Sequence, residues 1–369
     1  MEVKFVDLAL QYQPYIDRIT KELKKVIASA SFVGGPALKE FEVEVAKYIG
    51  TDNCVGVGSG TDALYLSLLA YGIGPGDEVI VPANTFIATA FAVSLTGAKV
   101  VFVDVDPKTY LMDLHKMFDA ITSDTKAIIP VHLYGQCCDI VAIKSLLGGR
   151  DIKIIEDCAQ AFGSRYKNFK AGSMGDVGCF SFYPAKNLGG LGQGGCITTN
   201  HKEIADKVRS LGDVGRLLTN RWEHSVVGFN SRLDAINAKF IYLMLEHISD
   251  WNAKRAYFAN LYNLGLEGVK EVRTPYASTD SYHIYHLYEL KCRNKEERDA
   301  LREFLSSKYI QTGLHYPIPC HKQKPYEKLN YKLPVAEELA DTLISLPMHP
   351  NLNEVEIDYV CSKIKEFYN

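Results

Sequence analysis

Apolar residues recur along this chain in two rhythms. Near the start they repeat at helical spacing, as Ile16, Ile19, Leu23, Val26 and Ile27, with lysines and glutamates between them. Phe32-Val33-Gly34-Gly35-Pro36 interrupts the pattern. A second helix follows, with Leu38, Phe41, Val45 and Tyr48 on one face and Gly50 closing it. The rhythm then changes to short, nearly continuous apolar runs separated by helical stretches. The runs predict strands over 78–81, 99–105, 127–131, 152–156, 179–183 and 196–199, and the stretches predict helices over 61–71, 85–96, 113–121, 139–148 and 202–211. Strands that are apolar throughout are buried on both faces by crossover helices, so the expected sheet is mainly parallel.

Residues 212–229 read as a loop, and one long helix is predicted from Ser231 past Trp251, bridging two domains. Beyond about residue 250 the pattern turns to α+β: a strand over 286–290, a helix over 295–307 and a strand over 311–316. Asn294 with Glu297, and Asn353 with Glu356, have capping-box spacing. No Pro/Gly/Ser linker separates the halves. The expected organisation is a large α/β/α domain over 1–250 and a smaller α+β domain over 251–369 packed onto it.

Bulk properties narrow the function class. A chain of 369 residues suits one large domain plus a smaller one. Its 47% hydrophobic and 23% charged residues are the balance of a soluble globular protein. A net charge of −3 argues against a nucleic-acid or anionic-membrane partner. Nine cysteines with no C-x-x-C pair read as reduced core residues of a cytoplasmic protein, not as disulfides or a metal site. Met1 to Asp7 lack the apolar core of a signal peptide, and no run of 18 apolar residues occurs.

In parallel sheets ligands gather at the C-terminal strand ends. Cys54-Val55-Gly56-Val57-Gly58-Ser59-Gly60-Thr61 runs from a strand through a glycine turn into a helix, where free N–H groups bind phosphate. A plain N-cap by Thr61 is the rival reading. The segment is neither a P-loop nor a dinucleotide fingerprint, because its glycine spacing fits neither. Asp157 closes an apolar strand, as a helix N-cap or as the partner of a buried cation. His132 ends another strand and reads as a hydrogen-bonded structural residue; His283 and His286 are given no role. Ser181-Phe182-Tyr183-Pro184-Ala185-Lys186 ends a further strand and leads into Gly189-Gly190-Leu191-Gly192-Gln193-Gly194-Gly195. Lys186 is either a positioned nucleophile or a turn lysine.

Taken together, these strand ends offer a helix N-terminus, an aromatic (Phe86), an acid (Asp157), a serine (Ser181) and a lysine (Lys186). Pyridoxal phosphate (PLP) uses all five kinds of group. It carries a phosphate, a flat ring, a ring nitrogen kept protonated by a carboxylate, and an aldehyde that condenses with a lysine. That lysine works as a neutral amine, which partial burial favours.

Four blocks, 58–64, 156–160, 181–189 and 228–234, resemble the signature segments of the nucleotide-sugar aminotransferases (the DegT/DnrJ/StrS family) in the right order across nearly the whole chain. The resemblance implies fold type I of the PLP enzymes and a homodimer with shared active sites. It implies Lys186 as Schiff-base lysine, Asp157 as pyridinium partner and Gln160 near the ring hydroxyl. Phe86 would stack on the ring. Gly60, Thr61 and Ser181 would bind the phosphate, with Asn230 reaching in from the neighbouring subunit. The form Tyr183-Pro184-Ala185-Lys186-Asn187-Leu188-Gly189, with His315-Tyr316-Pro317 later, is similar to members acting at sugar carbon 3. Tyr183, His315 and Tyr316 are the substrate-side expectations; Arg216 and Arg221 are candidates for the nucleotide diphosphate. Gln193, Phe162 and Trp222 depart from the usual family residues and leave the sugar open.

The expected reaction moves an amino group from glutamate to C-3 of a dTDP-3-keto-6-deoxyhexose. A UDP-linked 3-keto-2-acetamido uronic acid and a 4-keto sugar are the alternative acceptors. A nicotinamide oxidoreductase is disfavoured by the missing dinucleotide fingerprint. A non-catalytic sugar-nucleotide sensor is disfavoured by the presence of Lys186.

Overall fold

The computed structural model describes residues 1–220 and 222–369. Seven strands form one sheet: β1 (Asn53–Val57), β2 (Glu78–Pro82), β3 (Lys99–Val103), β4 (Thr125–Ile128), β5 (Lys153–Asp157), β6 (Val177–Ser181) and β7 (Gly195–Thr199). Their spatial order is β1-β7-β6-β5-β4-β2-β3. All neighbouring pairs are parallel except those of β7, which runs antiparallel to both β1 and β6. The expected mainly parallel sheet is therefore present, with one reversed strand. The 182–194 connection contains no crossover helix and turns β6 directly back as β7.

The strands are buried because helices cover the sheet. The helix after β1, α1 (Gly60–Ala70), packs on β6 and β7, and α2 (Ala88–Leu95) packs on α1 and β3. Ser59, not Thr61, caps α1: its Oγ accepts from the Asp62 N–H at 3.0 Å. In the first predicted helix Ile19 and Val26 are buried, whereas Ile16 and Ile27 face solvent.

The single long helix predicted from Ser231 is two. Residues before Ala235 are held extended by the Val33–Asp234 bridge, and the Ala235 N–H donates to Phe32 O at 2.9 Å. Helix α3 (Ala235–Leu245) then ends, and α4 (Ile248–Gly265) begins. The break lies where Tyr15 stacks on His247 at 4.2 Å and Arg18 pairs with Glu246, a tertiary clasp with no local sequence signal.

A second, smaller core gathers Phe258, Tyr262, Tyr288, Leu290, Leu301, Ile344 and Ile357. Val3 belongs to it, tied by its N–H to Tyr309 O at 2.9 Å, while Leu287, Cys320 and Tyr326 belong to the main core. The small sheet pairs β8 (Tyr288–Lys291) with β9 (Leu343–Leu346) antiparallel, Glu289 lying opposite Ser345. The predicted strand over 311–316 is only a bridge, Gly313 to Ser345, after which the chain bends away toward the large sheet. Asn353 and Glu356 form the complete capping box. Asn294 caps its helix alone, because the Glu297 carboxylate is drawn to Arg293 at 2.6 Å and Tyr368 at 2.8 Å. All nine cysteines are free and buried. Among the described residues, no helix is long and apolar enough to cross a membrane.

Candidate active site

The C-terminal ends of β1, β2, β5 and β6 open into a cavity of about 510 Å³. Its lining includes Gly60, Thr61, Phe86, Asp157, Gln160, Ser181, Tyr183, Lys186, His315 and Tyr316. Ten of the thirteen residues singled out from the sequence thus meet at one place, brought there by strand ends scattered over 250 positions.

Asp157 is the last residue of β5 and is buried. Burial pushes its carboxyl above the usual range, against the hydrogen bonds that favour the anion. Oδ2 accepts from Thr89 Oγ1 at 2.8 Å and Oδ1 accepts from the Ala159 N–H at 3.1 Å. A buried carboxylate so oriented is suited to face a cation, and the residue is no helix cap: among the described residues no helix starts beside it. Lys186 lies in the same cavity. Burial lowers its ammonium to about 8, opposed by the attraction of Asp157. Near neutral pH a substantial fraction of the amine is therefore unprotonated and nucleophilic.

The phosphate end is built by close approach. A Cβ added to Gly60 would lie 2.7 Å from Ser181 Cβ, so only glycine lets the N-terminus of α1 meet the end of β6. Exposed N–H groups of the first turn then lie beside the hydroxyls of Thr61 and Ser181. At the ring end, Gln160 is held in one orientation. Its Oε1 accepts from the Tyr134 N–H at 2.6 Å and its Nε2 donates to Tyr316 Oη at 3.0 Å. Phe86 lies 5.8 Å from the Tyr316 ring, and Phe86 and Tyr183 are both about half-exposed at the cavity mouth. A phosphate cradle, an aromatic wall, a buried acid and a poised lysine are the groups PLP needs, and they fit it.

Residues 15–365 match the DegT/DnrJ/EryC1/StrS aminotransferase family. The chain belongs to that family. It is 42% identical over 364 residues to the UDP-N-acetyl-3-dehydro-alpha-D-glucosamine 3-aminotransferase of Acidithiobacillus ferrooxidans, covering 98% of this chain and 97% of that protein. It is 39% identical over 368 residues to the dTDP-3-amino-3,6-dideoxy-alpha-D-galactopyranose transaminase of Aneurinibacillus thermoaerophilus, covering 99% of each. The crystal structure of NtdA from Bacillus subtilis with bound cofactor PMP superposes with a TM-score of 0.93 at 31% identity, covering 99% of this chain and 85% of that one. This member is accordingly a sugar aminotransferase with the type I fold, and PLP is its cofactor.

Two expected residues stand apart from the cavity. Asn230 is exposed and outside the cavity lining, its Oδ1 accepting from Arg232 Nη2 at 2.7 Å. Arg216 is paired to Asp213 at 3.1 Å, also outside the lining. Arg221 lies outside the described residues.

Other site residues were not singled out from the sequence. Thr89 sits one helical turn beyond Phe86, inside α2 and past the end of β2, where no local signal marks it. His286 lines the cavity with its Nδ1 2.9 Å from Asn187 Oδ1, and Asn187 Nδ2 in turn donates to Asn252 at 2.8 Å. Burial, then Lys186, holds the His286 imidazole well below its ordinary value. Its position between a bend and β8 carries no motif. Gln193, noted as a departure, also lines the cavity. His132 is structural, as expected. Its Nδ1 accepts from the Cys138 N–H at 2.9 Å, so Nε2 carries the proton and donates to Glu156 at 2.8 Å. Glu156 Oε1 also accepts from the Met174 N–H, at 2.8 Å, which leaves His132, Glu156 and nearby Cys158 with no open ligand set for a metal.

Proposed function

We propose that this aminotransferase moves an amino group from glutamate to C-3 of a dTDP-3-keto-6-deoxyhexose, giving a dTDP-3-amino-3,6-dideoxyhexose. The observation that carries the chemistry is Lys186 beside buried Asp157 in one cavity. The bound cofactor supplies an electron sink that stabilises negative charge at the carbon losing a proton. Lys186 would hold the cofactor's aldehyde at rest and, once released, would take the proton from the donor carbon in the first half-reaction and deliver a proton to the sugar carbon in the second. Asp157 keeps a positive charge on the ring nitrogen; Thr89 and the Ala159 N–H keep Asp157 aimed. Phe86 and Gln160 orient the ring, and Gly60, Thr61 and Ser181 bind the phosphate.

The carbon-3 reading is supported by the Tyr183-Pro184-Ala185-Lys186 block, by His315-Tyr316-Pro317, and by the two relatives named for 3-amino sugars. Tyr183, His315 and Tyr316 face the sugar in this reading, and Arg216 and Arg221 approach the diphosphate. The protein acts as a cytoplasmic homodimer whose partner subunit completes the phosphate site through Asn230. That reading accounts for Asn230 lying outside its own chain's cavity. The division into 1–250 and 251–369 is supported by the two cores in the main, with Val3 crossing into the small one and Leu287, Cys320 and Tyr326 into the large one. A UDP-linked 3-keto-2-acetamido sugar is the second reading, favoured by the 42% identical relative.

The deciding experiment charges the enzyme with glutamate and offers a panel of 3-keto and 4-keto nucleotide sugars, reading product mass. Amination of the dTDP-3-keto sugar above all others is expected. Transfer to 4-keto sugars alone overturns the carbon-3 reading.

A further inference from the structure

The helix whose N-terminus faces the phosphate end of the cavity carries an acid in its own first turn. Ser59 and Asp62 have the Ser-x-x-Asp spacing of a capping box at the start of α1. Half of that box is made: Ser59 Oγ accepts from the Asp62 N–H at 3.0 Å. The other half would bring the Asp62 carboxylate back to the Ser59 N–H, and it is not made. Asp62 Oδ2 instead meets Ser231 Oγ at 2.7 Å. That hydroxyl is held from its other side, where it accepts from the Gly58 N–H at 3.0 Å. A backbone N–H only donates, so the serine proton is left for the carboxylate. Ser231 is buried, and its own N–H donates to Gly212 O at 2.9 Å. A Cβ on Gly58 would lie 2.8 Å from Asp62 Oδ2 and 3.2 Å from Ser231 Oγ, so glycine there leaves room for the pair.

The first turn of α1 is therefore open. Ser59, Gly60 and Thr61 line the cavity, whereas Asp62 does not. None of the three lining N–H groups has a partner among the described residues. A completed box would occupy the Ser59 N–H. It would also set a carboxylate beside the place of the phosphate, and two anions repel at that distance.

We propose that Ser231 is a positioning residue for the cofactor phosphate: by holding Asp62 it keeps the capping box of α1 open and leaves the Ser59, Gly60 and Thr61 N–H groups to the phosphate. This rests on the reading that the start of α1 and Ser181 bind that phosphate. Without the Ser231 hydroxyl, the open donors for the Asp62 carboxylate are those of its own turn, and the box closes. The acid then competes with the phosphate from within the helix that binds it.

The test titrates apoenzyme with PLP and with pyridoxal, which has the same ring and aldehyde but no phosphate. Ser231→Ala is expected to weaken PLP binding at least about tenfold and to leave pyridoxal binding within about twofold. Removing the competitor should undo the loss, so Ser231→Ala combined with Asp62→Ala is expected to bind PLP within about threefold of wild type. Unchanged PLP affinity in Ser231→Ala overturns the proposal. An equal loss for pyridoxal overturns it too, as does a loss that persists in the double variant. A general distortion, or a shift of neighbouring Asn230, would not be repaired by taking Asp62 away. Thr61→Val with Ser181→Ala tests the phosphate reading separately. Full PLP affinity in that variant sinks the reading itself, whereas a loss there beside an unaffected Ser231→Ala sinks only the role of Ser231.

Discussion

Thr89 donates its hydroxyl to Asp157 Oδ2 at 2.8 Å, linking the first turn of α2 to the end of β5. The bond offsets part of the burial that pushes the Asp157 carboxyl up. Thr89→Val keeps the shape and removes the donor, so Asp157 should hold the cofactor's ring nitrogen less firmly. Cofactor affinity, read by titrating apoenzyme with PLP, is expected to fall roughly tenfold to a hundredfold, the weight of one hydrogen bond to a charged group. Unchanged affinity would show that Ala159 N–H alone suffices.

Lys186→Ala removes both the anchoring amine and the proton carrier. Transfer should drop by about three orders of magnitude or more. The far-ultraviolet circular dichroism should match wild type, because among the described residues no hydrogen bond of the fold depends on the Lys186 amine. A variant retaining most of the activity would contradict the role given to this lysine.

The condensing form of Lys186 is the neutral amine, and its ammonium loses the proton at about 8. The rate of PLP uptake by apoenzyme should rise about tenfold per pH unit below that point and level off above it. A rate still climbing through pH 10 would mean that the lysine keeps its ordinary value.

Burial raises Glu289 to about 8 from an ordinary 4.5. The unfolded chain releases this proton near 4.5 and the folded chain near 8. Its contribution to stability is therefore full below 4.5 and is lost as pH rises through 8. Glu289→Gln escapes that loss, so its gain in Tm over wild type should be larger at pH 8 than at pH 5. Equal gains at both values would show that Glu289 ionises freely.

The strands of the large sheet were legible because burial on both faces leaves a continuous apolar run, which no local competitor imitates. The break between α3 and α4 depends on Tyr15 and Arg18, more than 200 positions away. The 311–316 segment has strand composition, yet it makes only isolated backbone contacts, Gln311 to Val3 and Gly313 to Ser345. The cap of α1 was misplaced by two residues because Ser59 and Thr61 are chemically equivalent caps, and only the backbone decides between them.

By itself, then, the sequence determined the kinds of groups the site contains and the strand ends on which they sit. Lys186, Asp157, Ser181 and Gly60 each occupy a strand end or the turn just beyond it, and strand ends are marked locally by where an apolar run stops. Tertiary structure alone decided the supporting contacts: Thr89 on Asp157, Asn187 on His286, and the Glu289–Ser345–His315 chain. Those contacts join elements distant in sequence through single hydrogen bonds. A hydrogen bond requires distance and direction, and neither is encoded in the spacing of residues along the chain.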